Sequence, residues 1–207
     1  MKILRLFSAT LVLLSLFLVV SCASRSSLSS WHDQEYRTAG FTNIFVLARN
    51  DDLALRQKVE NVVVEKLTQQ GTRAISSLSV ISPTDKRGRD QLESTFDSLK
   101  VDAILIIRGT GTEDIEEFVP ETTYYKVYDD VFNEEVVEKT TEGGYWAKAG
   151  VVYFTKTSLF ANTSDKLVWE GRSQTAYDGD VDVSVNAFAK EIINDLVAVG
   201  FLPNKKN

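Results

Sequence analysis

Apolar residues recur along this chain with two periods, and the switches between them outline an alternation of strands and helices. The run Asn43-Ile44-Phe45-Val46-Leu47-Ala48, bounded by polar residues, predicts a buried strand. Asp51 and Asp52 can cap a helix, in which Leu55, Val59, Val62, Val63 and Leu67 recur at helical spacing until Gly71 ends it. A second, less well patterned strand is predicted over 72–81, and a second helix over 90–99 with Leu92, Phe96 and Leu99 on one face. The stretch Val101-Asp102-Ala103-Ile104-Leu105-Ile106-Ile107-Arg108 holds five apolar residues in a row, as a strand covered on both faces does. Strand, helix, strand, helix, strand in this order calls for a sheet with helices against it and right-handed crossovers.

The second half changes character. Residues 112–144 are acidic and Tyr-rich with no clean period, and are expected to extend the third strand outward and then become a long irregular excursion. Over 152–160, Val152, Phe154 and Lys156 alternate with Tyr153, Thr155 and Thr157. Asn162-Thr163-Ser164-Asp165 supplies turn residues and 167–172 a returning strand, which together predict a β-hairpin. A last helix over 181–199 aligns Val185, Phe188, Ile192, Leu196 and Val199, with Gly200 and Pro203 behind it. The expected fold is α/β with a mixed sheet: β-α-β-α-β, the excursion, a hairpin and a C-terminal helix, in two or three layers. No internal repeat is visible.

Residues 1–22 are built differently. Lys2 and Arg5 give a basic start, 6–20 is apolar apart from small Ser and Thr residues, and Val19-Val20-Ser21-Cys22 closes the run. That order is the order of a secretory signal. With Cys22, the sole cysteine, directly after a small residue, it resembles the bacterial lipobox. The resemblance implies cleavage before Cys22, acylation of its thiol and amino group, and attachment to a membrane. Burial of acyl chains supplies about 0.8 kcal/mol per methylene, and two chains anchor stably. Residue 23 is Ala rather than Asp, which in such lipoproteins implies outer-membrane delivery, facing the periplasm. The organisation that follows is a signal peptide over 1–21, a lipidated, Ser-rich flexible tether over 22–40, and one globular domain over 41–203. Nothing after Cys22 is apolar enough to span a bilayer.

Lys2 and Arg5 leave with the signal, so the mature chain has a net charge of −8 (21 − 29). Acidity of this size disfavours nucleic acid as a partner. Lipidation of Cys22 leaves no thiol for disulfide or thiolate chemistry.

Several stretches together resemble a family of uncharacterised bacterial lipoproteins. They are Asp102-Ala103-Ile104-Leu105-Ile106-Ile107-Arg108, the acidic segment from Glu113 to Pro120, Tyr124-Tyr125 to Tyr128, and the hairpin from Ser158-Leu159-Phe160 to Lys166-Leu167-Val168-Trp169-Glu170. The build is similar to the amino-terminal domain of the TolB family and related envelope lipoproteins. The resemblance implies an assembly or scaffold role and no catalytic residues.

Candidate chemistry is sparse. His32, the only histidine, lies in the tether, a poor place for a Ser-His-Asp triad, and one His and one Cys make a poor zinc set. Asp178-Gly179-Asp180-Val181-Asp182 spaces carboxylates as a calcium loop does. It lacks the Gly and Glu that such a loop needs further on, and reads as a helix cap. Gly109 and Gly111 follow a strand, but acidic residues after them would repel a phosphate. Tyr124, Tyr125, Tyr128 and Trp146, with Tyr145 and Tyr153 close in sequence, bring large area and polar tips suited to a binding surface. The expected function is that of a membrane-anchored, non-catalytic adaptor or scaffold, binding a protein partner or another copy of itself without cofactor or metal. The alternatives are a hydrolase using carboxylates among Glu113, Asp114, Glu116 and Glu117, or a small-ligand binder at the strand ends.

Overall fold

The structure, a computed structural model, describes residues 26–36, 40–84, 89–129, 134–177 and 179–204, with backbone alone at 89–91, 122–129 and 134–142. The expected signal peptide over 1–21 and the lipidation site Cys22 lie outside them. Six strands, β1 (Ser26–His32), β2 (Asn43–Arg49), β3 (Arg73–Ser76), β4 (Ala103–Asp129), β5 (Glu134–Ala161) and β6 (Leu167–Tyr177), form one mixed sheet. Three α-helices among the described residues, α1 (Leu53–Gln69), α2 (Arg89–Leu99) and α3 (Val181–Ala198), complete an α/β fold.

The sheet order is β1-β6-β5-β4-β2-β3. β2 pairs in parallel with β3 and β4, and the remaining pairs are antiparallel. The unalternating apolar run of β4 divides between two cores. Leu105 and Ile107 join Val46, Val63, Leu159, Trp169, Phe188 and Ile192 beneath α1 and α3, while Ile104 meets Phe45, Leu92 and Phe96 beneath α2. Asp52 and Asp180 cap α1 and α3, each accepting from two backbone amides of the first turn. Gly200, at φ +85°, follows α3 in the left-handed conformation that favours glycine.

One buried carboxylate ties α1 to the sheet. Glu60 is 0% exposed. Its Oε1 accepts from Ala48 N at 3.0 Å, Ser77 Oγ at 2.7 Å and Arg56 Nε at 3.2 Å, and its Oε2 from Ser76 Oγ at 2.6 Å and Leu78 N at 3.1 Å. Five donors satisfy a charge that would otherwise be expensive to bury.

Three expectations are corrected. The excursion over 112–144 is regular: β4 and β5 continue as a two-stranded antiparallel ribbon out to the pair Asp129 and Glu134. Where its side chains are described, at 115–121 and 143–148, the ribbon buries no alternate set, so the sequence there carries no period, and the Thr, Tyr and Val content of 112–144 suits strands. The tether over 22–40 contains β1, paired antiparallel with β6 from Ser26↔Thr175 to His32↔Trp169, so the ordered domain reaches upstream of residue 41. Backbone hydrogen bonds to an open sheet edge need little apolar surface, and Leu28 and the His32 ring against Phe201 add this strand's contacts to the core. The strand over 72–81 is shortened to β3, followed by a 3₁₀ turn at Ser77–Ser79. The hairpin forms as expected between β5 and β6, with Asp165 in its turn at φ +56°.

Candidate functional site

Two features lie at one end of the sheet. The first is the ribbon. β4 leaves β2 after the pair Arg49↔Arg108, and β5 begins to pair with β6 at Val151↔Tyr177, opposite Asp114. From 115 to 129 the two strands therefore pair only with each other, over about 50 Å at roughly 3.4 Å per residue. At the ribbon root, Trp146 is 66% exposed, Tyr145 61% and Phe118 45%, with Ile115 also exposed. Phe118 and Trp146 are cross-strand partners whose rings meet edge to face at 5.5 Å. The Phe118 ring covers Gly144, where a Cβ would lie 2.4 Å from its Cζ and where φ is +153°. Strand register and the contact with Gly144 thus hold the aromatic pair in place.

Tyr124, Tyr125 and Tyr128 lie on β4 opposite Lys139, Glu138 and Glu135, with backbone alone described there. Of the expected set, only Trp146 is placed with its side chain. Phe118 was missed, because its role shows only once register sets it opposite Trp146. Tyr153 instead packs against Tyr177 at 6.0 Å on the body of the sheet.

Charge separates ribbon from body. Residues 113–148 carry eleven carboxylates and three lysines, Lys126, Lys139 and Lys148. The rest of the chain from Cys22 onward has eighteen charges of each sign and is neutral. Glu113 and Glu117 fall on one face of the ribbon and Asp114 and Glu116 on the other, with Asp114 paired to Lys148 at 2.6 Å. This is an open surface. Hydrolysis by paired carboxylates needs two facing groups about 5–10 Å apart across a cleft.

The second feature is a cavity of about 330 Å³ between the first turns of α1 and α3, at the ends of β2 and β6 and over β4 and β5 where they leave the sheet. Its walls include Leu55, Val59, Ile107, Val185 and Phe188. β3 and β4 flank β2 on opposite sides, and α1 and α2 pack on opposite faces. The cavity therefore sits at the carboxyl ends of β2 and β6, beside the point where the winding of the sheet reverses, the usual place for ligands in open α/β sheets.

The other candidates resolve simply. A ring nitrogen of His32 lies 3.0 Å from Gln34 Nε2, and the ring meets Phe201 edge to face, with no triad around it. Asp180 caps α3, as its helix-start reading requires, while Asp178 lies outside the described residues. No group of three or more His, Cys, Asp or Glu side chains among the described residues is placed to hold a metal ion. No helix among them is long and apolar enough to cross a membrane.

No protein-family model matches the chain, and no curated protein matches it. Among solved structures it is similar to the PelC dodecamer from Paraburkholderia phytofirmans, at 11% identity and a TM-score of 0.45, over 87% of this chain and 100% of that one. It is also similar to a PDZ domain protein from Parabacteroides distasonis, at 9% identity and a TM-score of 0.37, over 93% of this chain and 39% of that one. Likenesses this distant assign neither a family nor a function.

Proposed function

We propose that this protein is a lipid-anchored envelope lipoprotein of the outer membrane, and that it works as a non-catalytic adaptor whose ribbon docks a protein partner. The observation that carries the reading is the ribbon root, where an ordered Phe118–Trp146 pair stands exposed beside Tyr145 on an arm outside the body of the sheet. Large exposed aromatics with little freedom to lose make good interface anchors. The charge pattern narrows the partner to a surface that offers Lys and Arg around an apolar patch, since the net negative charge of the mature chain resides on the ribbon.

The anchor narrows it further. β1 runs antiparallel to β6, so Ser26 lies beside Thr175 at the end of the sheet from which the ribbon leaves. Cys22 is four residues upstream of Ser26, a reach of at most about 14 Å. A lipidated Cys22 would hold that end of the domain near the bilayer. The partner in this reading is therefore membrane-embedded or membrane-proximal.

The test pairs Phe118→Ser with Trp146→Ser in one variant, and replaces Tyr124, Tyr125 and Tyr128 with Ala in another. Co-purification from native membranes is expected to fall in both, with the cooperative melt retained. Wild-type capture is expected to weaken as salt rises from 0.1 M to 1 M, where the screening length drops from about 10 Å to about 3 Å. Full capture by both variants would refute the docking surface, and unfolding of the first variant would reassign Phe118 and Trp146 to packing.

A further inference from the structure

We propose that a row of four cations on the α2 face of the sheet, Arg49, Arg108, Lys156 and Arg172, is the docking site for the ribbon of a second copy of this chain. The proposal rests on the adaptor reading and names its partner. Register builds the row. Arg49 pairs with Arg108, Arg108 with Lys156 and Lys156 with Arg172, so the four stand side by side on β2, β4, β5 and β6. Three inter-strand steps make the row about 14 Å long. Alternation from Phe45 and Leu47 along β2, and from Ile104 and Ile106 along β4, puts it on the face against which α2 packs. The helix leaves it open: Arg49, Arg108 and Arg172 are exposed.

Like charges directly opposite one another on a sheet are destabilising, and this row holds three such pairs in succession. Only its β5–β6 half is relieved, by Glu170, which lies 2.6 Å from Lys156 Nζ and 3.5 Å from Arg172 Nε. Among the described residues, no hydrogen bond or ion pair engages the guanidinium of Arg49 or Arg108. An arrangement that costs stability and leaves two guanidiniums unengaged fits a surface completed by carboxylates from outside. Trp31, 53% exposed and opposite Glu170, adds an apolar rim at the β1 end.

The same chain carries the complement. Residues 113–148 hold eleven carboxylates against three lysines. On β4, Glu113, Glu116, Glu117 and Glu121 are exposed, and none has an ion pair among the described residues. The ribbon does not serve its own row, because β4 and β5 carry it away from Arg108 and Lys156. Its free part begins at 115, roughly 24 Å beyond Arg108 at about 3.4 Å per residue. A second copy offers its ribbon without that constraint. Arg172 pairs with Ser29, seven residues from Cys22 and within about 25 Å of it. Copies anchored through Cys22 would therefore present row and ribbon to each other at one bilayer. Sharing a membrane raises effective concentration, which offsets the weakness of exposed charge pairs.

The experiment mixes isotopically light and heavy copies of the purified full chain in a neutral detergent. A zero-length carbodiimide then joins carboxylates to lysine amines, and mass spectrometry maps the linked peptides. Light–heavy links from Lys156 to carboxylates of 113–142 are expected at 0.1 M salt. They should fall about tenfold at 1 M, where the screening length is about 3 Å. Arg49→Gln/Arg108→Gln should cut the links about tenfold without lowering the melting temperature, because it removes like-charge pairs and no contact. Glu113→Gln/Glu116→Gln/Glu117→Gln/Glu121→Gln should cut them similarly from the ribbon side. An equal mixture of these two variants should regain links in one direction only, from the ribbon of the arginine variant to Lys156 of the glutamate variant. Wild-type copies that stay unlinked, links that persist in the arginine variant, or a mixture that regains none would overturn the proposal. Unlinked copies that sediment with phosphatidylglycerol vesicles, and lose this in the arginine variant, would overturn it by assigning the row to anionic lipid. No other protein is present, so these failures strike self-docking alone. The adaptor reading falls only if both ribbon variants described above keep full capture from native membranes.

Discussion

Replacing Glu60 with Ala should destabilise the domain by about 3–5 kcal/mol, the usual cost of removing one partner from a buried ion pair. Glu60 is wholly buried, and its loss strands the half-buried Arg56 together with two backbone amides, Ala48 N and Leu78 N, that no side-chain rotation can re-aim. Each stranded donor costs about 1–3 kcal/mol, though such costs do not add fully within one network. Glu60→Gln keeps one acceptor oxygen and sets an NH₂ where Oε2 accepted. The Ser76 hydroxyl can turn to accept from it, but Leu78 N–H cannot, so a cost of about 1–3 kcal/mol is expected. Urea denaturation followed by circular dichroism reads both. With a slope near 2 kcal/mol per M, the Ala variant should lose roughly 1.5–2.5 M in midpoint. The double variant Glu60→Leu/Arg56→Met should recover the charge part of the loss but not the backbone part. An Ala variant within about 1 kcal/mol of wild type would show that the network is not what joins α1 to β2 and the 3₁₀ turn.

Three further outcomes follow from other contacts. A Cβ at Gly171 would lie 2.4 Å from Trp169 Cη2 and 2.9 Å from Leu28 Cδ1, so Gly171→Ala should cost about 1–3 kcal/mol by overpacking, read as a lowered melting temperature. Asp180→Ala removes the cap that accepts from Asp182 N and Val183 N and should cost about 1 kcal/mol in urea unfolding, with Asp180→Asn largely restoring it. The hydrogen bond from Lys156 at 2.6 Å, followed by Arg172, holds the Glu170 carboxyl below its usual range against the opposing effect of burial. A depressed folded value gives stability that is present above the unfolded value and is lost as pH falls through the folded one. Glu170→Gln should therefore lower stability at pH 7 by under about 1 kcal/mol, and the gap should close below about pH 4 in a pH series of melts.

Where burial was one-sided or complete, the fold was legible in the sequence. The unalternating run of β4, the helical stripes of α1 and α3, and the caps at Asp52 and Asp180 each answer to a local pattern that the packing then uses. The ribbon and β1 were not legible, because both are held by backbone hydrogen bonds that any polar sequence can make. Trp146 stood out as an exposed aromatic, but its partner Phe118 depends on a register set by bulges between 109 and 111, 115 and 116, and 120 and 122. The cavity was missed for a similar reason. Gly109 and Gly111 were visible as glycines following a strand, but the hollow beside Gly109 exists only once α1 and α3 are placed above it.

The central claim, that the ribbon root docks a protein, is tested most directly by a photocrosslinking residue at Tyr145 in the full-length protein, irradiated in native membranes, with Lys190 on the exposed side of α3 as the control position. The account predicts a discrete protein adduct from position 145 that is absent from position 190, is suppressed at high salt, and is lost when Phe118→Ser and Trp146→Ser are added. Equal adducts from both positions, or none from position 145 while the protein remains folded and membrane-bound, would contradict it.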